Sequence, residues 1–473
     1  MSVRRVIDVV ISAALLLLAT SAGAGEQPVA IFHAFNERYA DVEGYVCSVG
    51  RQGYSHIQVA PAQKSTPAGD WWARYQPVDY SVIEGRGSAQ ELARLINTAH
   101  GCNVKVIADV VFNHMANMQQ FANLRFPQFV PDDFNRACDI NYNDGNTSSE
   151  IDCWLGGLPD LNQHKSKVRD VQKAHLSNLL NLGIDGFRFD AAKHMPPETV
   201  KSYIDFIDHE SRGKTWNYLE VIEDSDTSAD RYQWVAAVTD FLLYNSMKRA
   251  FSFGGDLRAL RVPESVNDSR SVVFGQNHDT IRALNTAAIN PYDDLTDSYL
   301  ATAYVLARDG GTPLIMAQDN LAAPYIKHGA GFRKIMRQRG AEGKNVRENV
   351  LAVVDSNTVL VMERGSEGFF VVNKGAQKFN VPALDLTLSN IEGCYRELRN
   401  NFTVAVERRE GVKKYVTKWG TWQRGGMEVQ PRDALYFVRD PWESCLASPG
   451  LNVRRTADKK RGEHKVRPYG KRC

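Results

Sequence analysis

The fold class of this 473-residue chain is decided by one stretch, Gly186-Phe187-Arg188-Phe189-Asp190-Ala191-Ala192-Lys193-His194. It begins as an apolar β run, and because side chains alternate along a strand, Arg188 and Asp190 leave the same face. A guanidinium beside a carboxylate favours the ionised carboxylate, which is the form that a nucleophile needs. The stretch therefore predicts a buried strand that carries reactive groups at its end.

Similar β runs recur along the chain and alternate with helical stretches. A predicted helix at Val168–Leu182 has a broad apolar stripe and is followed by Gly183, which suits a helix C-cap. Buried strands that alternate with amphipathic helices favour a (β/α)8 TIM barrel of the α/β class over an open sheet, although periodicity alone does not decide between the two. The predicted strands are Val29–Phe35, His56–Ala60, Val104–Phe112, Gly186–Ala191, Asn217–Ile222, Ser271–Gln276 and Thr312–Met316.

The alternation breaks twice, and the breaks predict the domain organisation. Residues 114–163 are rich in Asn, Asp, Pro and Gly, which indicates a loop-rich subdomain inserted after the third strand. From residue 346, short alternating runs predict a C-terminal antiparallel β-sandwich domain. We expect a signal peptide at 1–24, the barrel at 25–113 and 164–345, the insertion at 114–163, the β domain at 346–440, and a basic, disordered tail at 441–473.

The charge distribution separates the ends of the chain from its body. Arg4 and Arg5 precede an apolar run and the small residues Ala22-Gly23-Ala24, which is typical of a cleaved signal peptide, with an uncleaved anchor as the alternative. Residues 452–473 carry nine Lys/Arg against two Asp/Glu, whereas the whole chain has a formal net charge of +2. The body is therefore acidic, which argues against nucleic-acid binding. We expect a secreted or periplasmic monomer with no membrane span after signal cleavage.

Export would make the seven cysteines candidates for disulfides. Their positions beside predicted helices, strands and loops favour three pairs, Cys47–Cys102, Cys138–Cys153 and Cys394–Cys445, and leave Cys473 over in the basic tail. None of the spacings resembles a zinc site.

Four short motifs fall at or near the C-terminal ends of predicted strands. In a barrel these ends share one rim, where active sites are built. Any single acidic residue there could be a solvated loop residue, but the same placement behind several apolar runs argues for a site. The motifs are Asp109-Val110-Val111-Phe112-Asn113-His114, the opening stretch, Tyr218-Leu219-Glu220-Val221-Ile222, and Phe274-Gly275-Gln276-Asn277-His278-Asp279.

In this order and spacing, the motifs resemble the signature segments of the α-amylase family of glycoside hydrolases (family 13). A fifth segment, Leu158-Pro159-Asp160-Leu161-Asn162, is similar to the family's motif in the inserted domain. The segment Trp71-Trp72-Ala73-Arg74-Tyr75-Gln76-Pro77 resembles animal-type α-amylases and their bacterial relatives. The resemblance extends from about Ala30 to Arg439, and five motifs in order are far more specific than one.

The resemblance implies a role for each motif residue. Asp190 would attack the anomeric carbon, Glu220 would protonate the leaving oxygen and then activate water, and Asp279 would favour the distorted sugar ring, with net retention. Asp109 is expected to be structural and to order Arg188. The implied substrate contacts are Arg188, His114, His278, Tyr75, Trp71, Trp72, Gln76, Lys193 and His194.

Two ions are also implied by the resemblance. A structural calcium ion would be held by the side chains of Asn113 and Asp160 and by the backbone carbonyls of Ile151 and His194. A chloride ion would contact Arg188 and Asn277, with Lys327 as a loosely assigned third contact.

The expected activity is that of a secreted, retaining α-amylase that cuts α-1,4 bonds within starch or glycogen. A maltooligosaccharide-forming or transglycosylating member is the near alternative. The Leu158–Asn162 segment also resembles some α-1,6-acting relatives, so the bond preference stays open. A non-catalytic glucan-binding protein on the same fold is the alternative from a different class, and the presence of Asp190, Glu220 and Asp279 argues against it.

Overall fold

The computed structural model describes residues 25–446, apart from 144, 285–287, 352–355, 382–388, 410–411 and 418–426. The predicted signal peptide, the predicted tail from residue 447 onward and Cys473 lie outside the described residues. Among the helices that are described, none is both long and apolar enough to cross a membrane.

In the described chain, eight parallel strands close into a barrel, which confirms the predicted TIM barrel. Each strand pairs with its neighbours in the chain, and the last strand closes the barrel by pairing with the first. The strands are β1 (Ile31–Ala34), β2 (His56–Val59), β3 (Lys105–Val111), β4 (Gly186–Asp190), β5 (Tyr218–Leu219), β6 (Ala237–Thr239), β7 (Ser271–Val273) and β8 (Thr312–Met316).

The sequence prediction missed β6 and made β5 and β7 too long. Strand β6 has only three residues and β5 only two, so neither is long enough to produce a periodic pattern of its own. The shorter strands matter for the site, because Glu220 now lies immediately after β5.

Helices cover the outside of the barrel, and local sequence defines their ends. Ser88 and Glu91 form a capping box at the start of the second long helix. Gly183 ends the third at φ 99°, where its N–H donates to Leu179 and Leu180, as the sequence predicted. The long helices are Tyr39–Gln52, Ala89–Gly101, Ser166–Leu182, Pro197–Ser211, Phe241–Phe251, Leu295–Ala307 and Pro324–Ala341, and shorter ones are Ser148–Asp152, Asp230–Gln233, Ala317–Ala322 and Trp442–Leu446.

The deciding stretch opens with glycine for a steric reason. A Cβ atom on Gly186 would collide with the backbone carbonyl oxygen of Trp216, just before the neighbouring strand β5. The absence of a side chain therefore lets β4 and β5 approach each other closely at the start of β4.

The segment between β3 and the helix Ser166–Leu182 contains little regular structure. It consists of irregular chain with the short helix Ser148–Asp152 and single turns. Backbone hydrogen bonds attach it to the barrel: Leu161 N–H donates to the Asn113 carbonyl, and Met115 N–H donates to the Pro159 carbonyl, both at 2.9 Å. The rim of the barrel thus continues directly into this segment.

Beyond the barrel, the described residues form a seven-stranded antiparallel sheet and a small two-stranded sheet. The large sheet packs on the barrel helices, where the Tyr436 hydroxyl donates to the Ala303 carbonyl at 2.9 Å. Its strands are β9 (Glu348–Val350), β10 (Val359–Arg364), β11 (Gly368–Asn373), β12 (Gly393–Glu397), β13 (Thr403–Arg409), β14 (Val412–Thr417) and β15 (Asp433–Asp440), in the order β9-β10-β11-β15-β12-β13-β14; the small sheet pairs Phe379–Val381 with Met427–Val429.

The described cysteines form the three disulfides that the sequence predicted, Cys47–Cys102, Cys138–Cys153 and Cys394–Cys445. The third disulfide changes the predicted boundary between the β domain and the tail. Residue 441 was predicted to begin a disordered tail, but the helix Trp442–Leu446 follows β15 directly, and Cys445 within it bonds to β12.

Candidate active site

The predicted catalytic and substrate-binding residues converge on one cleft at the C-terminal rim of the barrel. Its internal volume is about 520 Å³. The predicted residues that line it are Trp71, Trp72, Tyr75, Gln76, His114, Asp190, Lys193, His194, Glu220, His278 and Asp279. Residues that line it without having been predicted are Tyr142, Leu155, Leu158, Ala191, Ile222, Glu223, Asp224 and Ile289.

Arg188 lies beneath the cleft floor and joins three carboxylates. Its Nη1 donates to both oxygens of Asp109 at 2.8 Å and to Asp190 Oδ1 at 2.7 Å, and its Nη2 is paired with Glu220. The side chain is 3% exposed, so these ion pairs are shielded from water. One guanidinium therefore sets the relative positions of the predicted nucleophile and the predicted acid.

Asp109 occupies the back of this cluster and does not face the cleft. It accepts hydrogen bonds from Arg188 and, at 3.1 Å, from the hydroxyl of Tyr75. Burial raises the pKa of Asp109 to about 6, although Arg188 opposes that shift. These contacts are those of a residue that orders Arg188 and Tyr75.

The electrostatics of Asp190 differ from the simple expectation that Arg188 keeps it ionised. Burial raises the pKa of Asp190 well above its ordinary value; Arg188 opposes this shift, while the nearby charges of Glu220, Asp109 and Asp279 add to it. Arg188 pairs with three of these four carboxylates, and those three are buried. Asp190 therefore retains a proton at a pH where an isolated aspartate would have lost it.

Glu220 has polar contacts, although its neighbours in the sequence are apolar. One carboxylate oxygen is paired with Arg188, and the other accepts the N–H of Ala191 at 3.0 Å. Asp279 lies nearby, with a carboxylate oxygen within 4.8 Å of one of Glu220. The contacts with Arg188 and Ala191 therefore fix the orientation of the Glu220 carboxylate beside a second carboxyl group.

Ala191 makes its contact from an unusual backbone conformation. It has φ 47° and ψ 36°, the left-handed region, immediately after Asp190. A residue with a Cβ atom costs roughly 1–2 kcal/mol there. The conformation turns the chain so that the Ala191 N–H faces Glu220, a feature that sequence reasoning missed because no sequence signal marks it.

Two of the three predicted histidines of the site, His114 and His278, have pKa values that favour the neutral ring. Burial lowers the pKa of His114 to about 4, and its Nε2 contacts the Tyr75 carbonyl at 2.9 Å. Burial and then Arg188 lower the pKa of His278 to about 3. Its Nε2 lies 3.4 Å from Asp279 Oδ2. Neutral imidazoles offer one donor and one acceptor each, which suits recognition of sugar hydroxyls.

Lys193 lies at the other end of the cleft and has partners that the sequence did not indicate. Its ammonium group is paired with Asp224 and lies 3.9 Å from the buried carboxylate of Glu150. It also lies 5.0 Å from the ring centre of Tyr142. The inserted segment therefore supplies one wall of the cleft.

Two of the residues predicted to hold calcium, Asn113 and Asp160, lie where the insertion joins the barrel. Asn113 is completely buried, and its Oδ1 has no partner among the described residues. Burial raises the pKa of Asp160 well above its ordinary value, and Asn135 donates to it at 2.6 Å. The helix Ser148–Asp152, which contains Ile151, is fixed to the barrel because His194 Nδ1 contacts the Glu150 carbonyl at 2.9 Å. An unpartnered amide oxygen beside a buried carboxylate fits a hard cation.

The predicted acid, Glu220, lies close to two of the predicted sugar-binding groups. Side-chain atoms of Glu220, His278 and Asp279 lie within 4.8 Å of one another. The same closeness is required of an acid and two sugar-binding groups that act on one bond.

The predicted chloride contacts are not all in one place. Arg188 and Asn277 are buried beneath the cleft, where the Asn277 side-chain oxygen accepts the N–H groups of Asp279 and Thr280 at 3.0 Å. Lys327 lies on the outer helix Pro324–Ala341, and Arg188 already contacts three carboxylates. The chloride site stays a prediction.

The chain is similar to known proteins over much of its length. A family model described as Alpha amylase, catalytic domain, matches residues 49–240. An alpha-amylase of Aeromonas hydrophila is 33% identical to the chain over 309 residues, which cover 60% of this chain and 67% of the relative. The chain belongs to the α-amylase family. An alpha-amylase of Thermomonospora curvata is 30% identical over 400 residues, covering 75% of this chain and 65% of that protein. The chain thus spans about two thirds of these α-amylases.

Solved α-amylase structures support the same fold. The wild-type alpha-amylase I of Eisenia fetida superposes with a TM-score of 0.71 at 20% identity, covering 89% of this chain and 99% of that one. At 20% identity, this similarity is evidence for the fold of the chain and for nothing finer.

Proposed function

We propose that the protein is a secreted, retaining α-amylase that hydrolyses internal α-1,4 bonds of starch or glycogen. The observation that carries the proposal is the arrangement of Asp190, Glu220 and Asp279 around Arg188 at the floor of an aromatic-walled cleft. A pair of carboxylic acids on either side of a glycosidic bond is what this hydrolysis needs.

In the first step, Glu220 protonates the glycosidic oxygen while Asp190 attacks the anomeric carbon. The carbon–oxygen bond to the leaving sugar breaks, and a covalent glycosyl ester forms on Asp190. Arg188 contacts both groups and so keeps their separation constant, which a retaining enzyme holds at about 5–5.5 Å. Asp279 and His278 contact the sugar hydroxyls and favour the distorted ring.

In the second step, Glu220 is ionised and acts as a base. It removes a proton from water, which attacks the anomeric carbon from the side that the leaving sugar vacated, and Asp190 is released. Two inversions at one carbon give net retention.

The cleft walls fit a glucan chain. Trp71, Trp72 and Tyr75 present flat apolar surfaces on which the faces of glucose rings can stack. Lys193 and His194 lie on the leaving-group side. The alpha-amylase I of Eisenia fetida, which has a similar fold, was crystallised in complex with maltohexaose as a variant in which one glutamate is replaced by glutamine.

The test is to incubate the purified protein and its Glu220→Gln variant with soluble starch and to follow iodine colour and reducing ends together. Early loss of colour with few new reducing ends, absent in the variant, is the expected result. Reducing ends without loss of colour would favour exo or oligosaccharide-forming action. No reaction of the wild type on starch, glycogen or maltooligosaccharides would contradict the proposal and favour a glucan-binding protein.

We infer that a structural calcium ion binds between the barrel and the insertion. Asn113 and Asp160 would hold it with their side chains, and Ile151 and His194 with their backbone carbonyls. The support is the unpartnered Asn113 Oδ1 beside a buried carboxylate. When bound, the ion would supply charge compensation for Asp160 and would hold the cleft wall in place.

We also propose export, to the medium or to the periplasm, and a monomeric state. The support for export is the disulfide content of the described chain, because disulfides persist in oxidising compartments.

A further inference from the structure

The ring of His278 is held between two aromatic side chains. Phe35 stacks on one side, with ring centres 4.8 Å apart and an interplanar angle of 26°. Tyr75 stacks as well, with centres 5.3 Å apart and an angle of 12°. Parallel rings on both sides restrict rotation of the imidazole about its Cβ–Cγ bond.

Two more rings meet the edges of the same imidazole. His33 contacts it at 5.7 Å and 78°, and Trp71 at 5.8 Å and 82°. We call Phe35, Tyr75, His33 and Trp71 the His278 box. His278 is only 4% exposed inside it.

We propose that Phe35 is a positioning residue that fixes the orientation of the His278 ring, so that its Nε2 faces Asp279 and the sugar. The kinetic part of this inference rests on the proposed function, whereas the orientation and charge of His278 are properties of the free protein. Sequence motifs marked His278 and Tyr75 but not Phe35.

Phe35 and His33 differ from the other two members of the His278 box, Trp71 and Tyr75, because they do not line the cleft. Among the described residues, those that line the cleft include Trp71 and Tyr75 but not Phe35. Phe35 follows β1 and contacts the rings of His33, Trp71 and His278. Its effect on a bound sugar must therefore pass through its neighbours, and the closest of these contacts is with His278.

The charge state of His278 depends on the same contacts. The rings exclude water from the imidazole, and this burial is the main reason that its pKa is lowered. Removal of the Phe35 ring would admit water and move the pKa of His278 back toward that of an exposed histidine. A protonated ring would lose the acceptor that a sugar hydroxyl can use. The titratable groups that face His278 are Asp279, Glu220, Arg188, His33 and Tyr75.

The experiment compares Phe35→Leu with Phe35→Tyr, which keeps the ring, and with Phe32→Leu as a matched control. Phe32 lies on β1, three residues before Phe35, but its ring packs against Tyr45 and Tyr54. Histidine titrations are followed by NMR on protein labelled with ¹⁵N-histidine, and the His278 signal is assigned by its loss in His278→Asn.

In the free protein, we expect His278 of the wild type, Phe35→Tyr and Phe32→Leu to stay neutral between about pH 5 and pH 8. In Phe35→Leu the titration should move upward by about one pH unit or more. On starch, Phe35→Leu should lower kcat/KM by about three- to tenfold, mainly through kcat. The acidic limb of its pH–activity profile should shift to higher pH.

A structural role alone predicts a different pattern. Phe35→Leu and Phe32→Leu would then both lower thermal stability and leave the titration and the pH profile unchanged, which would overturn the proposal. A wild type that is inactive on all glucans would remove the proposed function, yet an upward-shifted His278 titration in Phe35→Leu alone would still support the positioning role.

Discussion

At the scale of single residues, the site depends on how one arginine is shared. Arg188 contacts Asp109, Asp190 and Glu220, and burial outweighs its attraction in the pKa of Asp190. The sequence predicted which carboxylates come together at the site, because each lies within a recognisable motif. It did not predict their electrostatics, because these depend on the number of charges that the barrel brings together and on the water that it excludes.

Ala191 provides a test of backbone conformation at the site. We expect Ala191→Gly to keep activity and to change the free energy of unfolding by less than about 1 kcal/mol, since glycine adopts a positive φ without strain. Ala191→Val should lose about 2 kcal/mol or more, because a β-branched residue is strained there, and should lower kcat. Denaturant unfolding and starch kinetics measure both. A valine variant as stable and active as the glycine variant would show that the left-handed conformation is not needed.

At the scale of elements, the sequence predicted the positions of the strands better than their lengths. Runs such as Ile31–Ala34 and Lys105–Val111 are long enough to show their character, whereas Ala237–Thr239 is not. The position of Phe35 beside His278 required the closure of β1 against β8, which the local sequence does not encode.

The junction of the insertion with the barrel is where calcium removal should act. Chelation by EGTA should lower the melting temperature by about 5 °C or more, because a bound ion stabilises only the folded state. Asn113→Ala should lower it in the presence of calcium and make it insensitive to EGTA. Asn97→Ala, on the exposed face of the helix Ala89–Gly101, should behave like the wild type. A melting temperature that does not respond to EGTA in the wild type would exclude the calcium site.

At the scale of the whole molecule, buried carboxyl groups make stability depend on pH. Asp319 follows β8 and is completely buried, and burial raises its pKa to about 7. The folded state then binds more protons than the unfolded state between about pH 4 and 7. Its contribution to stability is therefore present in acid and is lost as the pH rises through this window.

Replacement of Asp319 should reveal that contribution. We expect the wild type to lose on the order of 2–4 kcal/mol of unfolding free energy from this group between pH 4 and pH 8. In Asp319→Asn this part of the slope should disappear, whereas the exposed Asp170→Asn on the helix Ser166–Leu182 should keep it. Urea unfolding at several pH values measures the slope. Equal slopes in all three proteins would show that Asp319 does not bind a proton on folding.

The central claim is that Asp190 and Glu220 cleave α-glucosidic bonds by double displacement. The most direct measurement is ¹H NMR of the anomeric protons during the first minutes of maltooligosaccharide hydrolysis, before the sugars mutarotate. We predict that the α anomer of the product appears first and that Asp190→Asn and Glu220→Gln each slow its formation by about a hundredfold or more. Initial appearance of the β anomer, or unchanged rates in both variants, would contradict the account.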